Sequence, residues 1–390
     1  MTNGHENKKQ VILASATKIF AEKGFADATI SEIAKGAGLT SSGIYLYYKN
    51  KEALLFTVIE NFMIESNAGL TEHLQGIRGA ENKLRKAIWY HCKSYSISKK
   101  VIKIILEARS YPRFYKSSAY TALKQYARII NDIIAEGMQA GVFCGVSSPM
   151  ILRDMILGTV DHIAINWTMK DVPDSSDHAE KIYDLVMRAV QPAPKDKNRL
   201  AKKLANKAEK RVRIINSATA LFTEKGFNDT SMLEIAQKAD VAEGTVYEYF
   251  RNKENLLISI PHEKLTRLYD TVSGNSLEIK LKSVITSIFE FYYNEKDYST
   301  ILVLMLRTNK KFHNSESNEI IEKLFTIIEE IIVTGQGQYF KANLDLNLCR
   351  DLLFGTLDHI MIPWIIFDRR YDWKALGAEV SDLFVNAIRV

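Results

Sequence analysis

Cysteine is scarce in this chain: three residues in 390, Cys92, Cys144 and Cys349. They lie far apart and show none of the close spacings that hold metals or exchange disulfides, which excludes a disulfide scaffold, a zinc module and a redox motif. Their plainest role is that of small buried hydrophobes in a reducing cytoplasm. Long apolar runs are also missing. The longest, such as Ile301–Leu306 and Ile360–Phe367, fall far short of the roughly 20 residues a membrane-spanning helix needs, so no membrane partner is expected. The polar start MTNGHENKKQ does not read as a secretory signal. Proline is sparse at seven residues, and no biased tract occurs outside one linker, as in ordinary soluble proteins. No segment alternates convincingly in the two-residue period of a strand. No catalytic constellation is visible either: Asp161-His162 and Asp358-His359 are sequence neighbours whose side chains diverge by about 100° on a helix, which suits helix packing better than catalysis or metal binding. What these absences leave is an all-α, non-enzymatic, cytoplasmic chain with no metal site and no cofactor. Its net charge of +6 permits a nucleic-acid partner without requiring one.

What is present is a repeat. Thr29 to Glu52, TISEIAKGAGLTSSGIYLYYKNKE, returns as Ser231 to Glu254, SMLEIAQKADVAEGTVYEYFRNKE. Each copy reads as two short helices joined by a tight turn. Thr29 and Ser231 can cap the first helix, with Glu32 and Glu234 completing a capping box. The turn is Ala37-Gly38-Leu39 or Ala239-Asp240-Val241, and Gly and Asp are residues that tolerate the left-handed conformation such a turn commonly needs. The second helix carries Tyr45 and Tyr47, or Tyr247 and Tyr249, and is expected to end at Lys49-Asn50-Lys51 or Arg251-Asn252-Lys253. This is a helix-turn-helix pattern, whose second helix is built to enter a DNA major groove. Including the lead-in helix, Ile12–Leu55 and Ile214–Leu257 share 21 of 44 positions at a constant offset of 202. The lead-in, Lys8 to Lys23, places Ile12, Ala16, Ile19 and Phe20 at helical spacing, with Gly24 as its stop.

A long fourth helix is expected from Lys51-Glu52 towards His73; its second copy is interrupted by Pro261. Further helices are expected at Glu81–Ser98, Lys99–Ser110, Ser117–Ala140, Pro149–Lys170 and Asp177–Val190. The second half repeats the plan. Leu106–Arg109 with Phe114 corresponds to Leu304–Arg307 with Phe312, and Gly158–His162 with Trp167 to Gly355–His359 with Trp364. The expected domains are 1–52 and 210–254 as helix-turn-helix heads, 53–190 and 255–390 as helical bodies, and 191–209 as a basic linker. Residues 191–213 hold nine Lys or Arg against Asp196 and Glu209. They read either as a solvated basic helix or as a segment near DNA phosphates.

These blocks resemble the tetracycline-repressor (TetR) family of bacterial transcriptional regulators, written twice in one chain. The resemblance implies a double-stranded DNA operator as partner and assigns contacts by position. Thr29 and Ser231 fall at helix starts suited to a phosphate. Thr40, Ser41, Ser42 and Gly43, and in the second head Ala242, Glu243, Gly244 and Thr245, would face base edges. Tyr45 and Tyr247 match a commonly DNA-contacting tyrosine; Tyr47 with Lys51, and Tyr249 with Lys253, match phosphate contacts. Tyr48 and Phe250 are expected in the head cores. Ser42-Gly43 departs from the family's usual Gly followed by Thr or Ala, which Gly244-Thr245 keeps. Glu243 could accept from a cytosine amino group, whereas Glu243 and Glu248 would repel a phosphate. Two identical half-sites are therefore not expected.

In this family the body encloses a ligand, and its last two helices pair into a four-helix bundle. The matching segments are Pro149–Lys170 with Asp177–Val190, and Asn347–Asp368 with Asp372–Ile388. The body is similar to members that control fatty-acid metabolism and respond to long-chain acyl-CoA, which implies an amphipathic or acyl effector. Candidate ligand residues are Tyr90, Tyr95, Arg109, Phe114, Phe289, Tyr292, Arg307 and Phe312. Arg109 and Arg307 read equally as partners for an anionic ligand or as structural salt bridges. Since one chain already carries two heads, the expected particle is an intramolecular pseudo-dimer, with a homodimer of tandem chains as the alternative. The competing function is a helical small-molecule binder in which one or both heads have lost DNA affinity.

Overall fold

The computed structural model describes residues 2–169, 178–190, 209–225, 230–253, 255–256, 277–313 and 316–390. Of the expected features, Pro261 and residues 191–208 of the basic linker lie outside the described residues, as does Lys170 at the end of its helix. Among the described residues the chain is helical, with no β-strand and only isolated bridges at Gln336–Phe340 and Phe340–Arg389. Among the described residues no helix is long and apolar enough to cross a membrane.

The first head is α1 (Thr2–Asp27), α2 (Ile30–Gly36) and α3 (Ser41–Tyr45), followed by α4 (Lys51–Leu74). Gly24, with φ 77, does break the helical backbone, but a further turn follows it to Asp27, so α1 is two helical pieces. Ile12, Ala16, Phe20, Ile33, Ile44 and Leu54 are fully buried and form the apolar centre of the three helices, with Tyr48 among them. The second head repeats this as α10 (Glu209–Lys225), α11 (Met232–Lys238) and α12 (Glu243–Tyr249) around Ile214, Ala218, Phe222, Ile235, Val246 and Phe250. Tyr48 and Phe250 are core residues, as expected.

The first body comprises α5 (Ala80–Ile97), α6 (Lys99–Ala108), α7 (Ser118–Gln139), α8 (Pro149–Met169) and α9 (His178–Ala189). The second comprises α13 (Leu277–Asn294), α14 (Lys296–Thr300), a π-helical stretch Ile301–Leu306, α15 (Lys310–His313), α16 (Glu316–Gly335), α17 (Leu346–Phe367) and α18 (Trp373–Ile388). In the bodies the expected helix boundaries hold to within a residue or two. Ser117 caps Tyr120, Asp345 caps Leu348 and Asp372 caps Ala375. Cys92 and Cys349 are buried, while Cys144 is half-exposed and so departs from the expected burial.

The chain forms two compact units: Met1–Phe143 with Ser148–Asp184, and Cys144–Ser147 with Leu185–Val390. Within each, the same close approaches recur. Phe143 lies against Gly137 and Phe340 against Gly335, where an added Cβ would meet ring carbons at 2.2 and 2.6 Å. The Lys99 ammonium sits 5.3 Å from the Trp167 ring and that of Lys296 5.1 Å from Trp364.

Candidate DNA-reading heads and effector bodies

The turn chemistry read from sequence is realised in both heads. Thr29 Oγ1 accepts from Glu32 N–H at 3.2 Å while Thr29 N–H donates to Glu32 Oε2 at 3.1 Å. Ser231 and Glu234 reproduce the pair at 3.2 and 2.8 Å. Gly38 (φ 67) and Asp240 (φ 54) occupy the left-handed region at the same turn position, where an ordinary side chain would be strained. The reading helix of the first head opens with Thr40, whose hydroxyl accepts from Gly43 N–H at 3.2 Å. Ala242 opens the second without a side-chain cap, so the two helices start on different chemistry.

The candidate base-facing residues are exposed or half-exposed in each head. Ser42 is exposed and Ser41 and Gly43 half-exposed; Ala242, Glu243 and Gly244 are exposed and Thr245 half-exposed. Tyr45 and Tyr247 are about equally open, at 54% and 49%. Tyr249 is also exposed, whereas Tyr47 is half-buried with its ring 4.6 Å from that of His5.

Lys51 and Lys253 do something the sequence did not suggest. The Lys51 ammonium donates to the carbonyls of Phe25, Ala26 and Ala28 at 2.6, 3.1 and 2.8 Å and lies 4.5 Å from the Phe25 ring. Lys253 donates to the Thr230 carbonyl at 2.9 Å. The basic triplets do not end the reading helices: α3 stops at Tyr45, and Asn50 caps α4 by accepting from Ala53 N–H at 2.7 Å. Asn252 does the same for Asn255 N–H at 2.7 Å. Lys51 therefore ties the start of α4 to the carbonyls around the end of α1. Lys51→Met is expected to destabilise the first head by about 2 kcal/mol, the scale of hydrogen bonds to a charged group. Exposed Lys49→Met should stay within about 0.5 kcal/mol of the parent. Urea unfolding of the full chain followed by near-ultraviolet circular dichroism measures both; equal effects would deny Lys51 this role.

In the bodies, Arg109 Nη2 lies 2.6 Å from Asp161 Oδ2, and the Tyr95 hydroxyl donates to Asp161 Oδ1 at 2.5 Å. In the second body Arg307 Nε donates to Asp358 Oδ2 at 2.8 Å and Arg307 Nη2 to the Tyr292 hydroxyl at 3.3 Å. Burial is the largest single influence and opposes the charge of each guanidinium, but the facing carboxylate and the neighbouring tyrosines together outweigh it, so both arginines are held above their ordinary pKa. Of the two roles left open for Arg109 and Arg307, the structure gives them the internal salt bridge. Tyr95 and Tyr292 belong to the same clusters. Burial, with Asp161 adding to it, raises the Tyr95 hydroxyl far above its usual pKa, so it remains a donor. Phe114, Phe289 and Phe312 are buried core residues. Tyr90 sits apart from the cluster on the α4 side of α5: its hydroxyl fills the space over Gly69, and its ring is 4.9 Å from His73.

Some buried polar atoms escaped the sequence reading. The Tyr126 hydroxyl on α7 and Asn67 Oδ1 on α4 make no hydrogen bond among the described residues. Tyr126 is 5.4 Å from the His91 ring, and Asn67 uses its amide nitrogen on the Ala122 carbonyl at 3.0 Å. Native interiors rarely leave such atoms unsatisfied. No sequence signal marks them, since a tyrosine and an asparagine at helical spacing look like any amphipathic face.

The first head is joined to its body by polar contacts along α6. Lys103 donates to the Ala21 carbonyl at 3.1 Å, the Glu107 carboxylate accepts from Phe25 N–H, and the Phe25 and Tyr111 rings meet edge-on at 4.9 Å. Burial raises the Glu107 pKa, with Lys103 pulling against it. Thus α6 carries Arg109 towards Asp161 and its other side chains towards the head. The second head rests instead on aromatic Phe291 and Tyr298, while the counterpart of Glu107 is the exposed Met305.

A capped helix-turn-helix with an open reading face, joined through α4 and α6 to a helical body with buried polar clusters, defines a DNA-reading regulator with a sensor domain. Family comparison agrees. Residues 12–58 and 214–260 match the model described as bacterial regulatory proteins, tetR family, and residues 61–189 and 250–387 match the YsiA-like protein, C-terminal region. The chain belongs to the TetR family of transcriptional regulators, with the family's two-domain plan present twice. It is 31% identical over 191 residues to the fatty acid metabolism regulator protein of Bacillus subtilis (strain 168), covering 47% of this chain and 98% of that protein. Among solved structures it is similar to the regulator FadR of Bacillus subtilis in complex with stearoyl-CoA, at 26% identity and a TM-score of 0.43, over 46% of this chain and 97% of that one. It is likewise similar to the fatty acid degradation regulator FadR of Bacillus halodurans, at 27% identity and a TM-score of 0.42, over 46% and 94%.

Proposed function

We propose that one chain acts as a pseudo-dimeric, effector-released DNA-binding regulator, reading an asymmetric operator with its two non-identical heads. The observation that carries this reading is the duplication itself: both copies keep the capping box, the left-handed turn residue and the exposed tyrosines. In this reading the heads are 1–52 and 210–254, the bodies 53–190 and 255–390, and 191–209 the basic linker. Supporting the pseudo-dimer, the second compact unit includes Cys144–Ser147 and Leu185–Val190 of the first repeat. Within that unit Ser147 N–H and Oγ both donate to the Glu379 carboxylate at 2.6 Å.

The effector is an amphipathic acyl thioester of the acyl-CoA class. Its support is the sequence likeness to a fatty acid metabolism regulator and the apolar interior with a few unsatisfied polar atoms, Tyr126 and Asn67, which is the usual lining of a ligand site. Two reading helices fit successive major grooves only when about 34–36 Å apart. An effector that favours another spacing lowers operator affinity by linkage. The route is α6, which reaches the Asp161 cluster with Arg109 and the first head with Lys103 and Glu107.

The test is to select fragments bound by the chain from genomic DNA and to titrate stearoyl-CoA into the best complex, with light scattering on the free and bound protein. One chain per operator, and release by the thioester but not by free coenzyme A, are expected. A stable two-chain particle would overturn the pseudo-dimer, and undiminished binding at saturating stearoyl-CoA would overturn the effector class. The competing reading, a helical binder with a degenerate second head, is favoured by the uncapped start of α12 and by Glu243; it predicts that selected fragments carry one half-site.

A further inference from the structure

Leu46 is the most exposed of the large apolar side chains described, at 82%. Isolated apolar residues on a surface are common, so exposure alone says little; the position of this one says more. Leu46 closes the reading helix with helical backbone angles, φ −69 and ψ −22. Four residues after Ser42, it projects within about 40° of Ser42 on the helix. It lies about 160° from Ile44, whose side chain is fully buried in the head. Leu46 therefore stands on the outward face, next to Ser42 and flanked by the open ring of Tyr45. The second head builds the same register with opposite chemistry. Glu248 follows Gly244 by four residues, stands away from the fully buried Val246, and is exposed between Tyr247 and Tyr249.

We infer that Leu46 and Glu248 are specificity-determining residues that make the two half-sites differ at one corresponding base pair. Leu46 sets its isobutyl group against the 5-methyl of a thymine, the apolar feature a major groove offers. Glu248 has no use for a methyl group; its carboxylate accepts from the exocyclic amino group of a cytosine. A leucine also cannot satisfy a base's hydrogen-bonding edge, so at this position the first head is selective through the methyl group alone. The inference rests on the DNA-reading function proposed above and adds which base each head selects.

The experiment uses the full chain and an operator fragment selected from genomic DNA. Each thymine is replaced in turn by uracil, which removes one methyl group and changes no hydrogen bond. One thymine in one half-site is expected to give about fourfold weaker binding as uracil, the scale of one buried methyl group. Leu46→Ala should bind the thymine and uracil forms of that site alike, and Leu46→Glu should favour cytosine there. Because Leu46 is solvent-exposed, its variants should keep the parent's helicity. If every uracil effect seen with the parent persists in Leu46→Ala, the inference is overturned while the DNA-reading function stands. If the parent selects no fragment above random DNA, both fail together.

Discussion

Asp161→Ala is expected to destabilise the first compact unit by about 3–5 kcal/mol, the cost of leaving a buried guanidinium without its carboxylate. The substitution strands two donors at once, the Arg109 guanidinium and the Tyr95 hydroxyl, both of which now end on Asp161. Neither can escape by changing state: arginine stays charged, and burial already pushes the Tyr95 hydroxyl away from ionisation. Asp358→Ala should cost less, because the Tyr292 hydroxyl still accepts from Arg307 when the carboxylate is gone. Replacing the whole pair, Arg109→Met with Asp161→Leu, should recover most of the loss, since a buried ion pair often does little better than well-packed apolar residues of similar volume. Urea unfolding of the three variants distinguishes the cases. A loss below about 1 kcal/mol for Asp161→Ala would mean that water reaches the cluster and solvates the Arg109 guanidinium.

The second large effect concerns DNA. Tyr45→Ala with Tyr47→Ala is expected to weaken operator binding by about 100-fold or more at fixed salt. Two heads on one chain bind with the advantage of a tethered second contact, worth roughly 10² to 10⁴ in affinity, and disabling either head forfeits it. Tyr247→Ala with Tyr249→Ala should therefore cost a similar factor although it touches the other half-site. The rings removed are largely open at three of the four positions, so folding should survive. Fluorescence anisotropy with a labelled operator measures both. Loss confined to the first pair would select the reading in which the second head no longer engages DNA.

The heads were legible in the sequence because their geometry is specified by residue types at short spacing. A capping box needs a hydroxyl and a glutamate three residues apart, and a left-handed turn tolerates few residues, so Gly38 and Asp240 declared themselves. The bodies were legible as helices but not as chemistry. Nothing local says that Arg109 will meet Asp161, 52 residues later, rather than a ligand; that depends on how α6 and α8 pack. Lys51 shows the same limit from the other side. Its place in a basic triplet after two tyrosines suggests a phosphate contact, yet three carbonyls left open around the end of α1 claim its ammonium first. Leu46 was passed over because an apolar residue in a short amphipathic helix is normally counted as core. Its angular position relative to Ile44 was the available signal.

The π-helical stretch at Ile301–Leu306 has a wider meaning. Lys99 and Lys296, matched through their tryptophans, are 197 apart, whereas Arg109 and Arg307, matched through their aspartates, are 198 apart. The second copy thus carries one more residue than the first between these landmarks. Arg307 N–H bonds to the Leu302 carbonyl at 3.0 Å, five residues back, and a widened turn of this kind stores a single extra residue. The extra residue is quarantined within one turn, so the guanidinium downstream still arrives at its carboxylate. After duplication the two copies were free to drift in length, and the buried ion pair is where that freedom stopped.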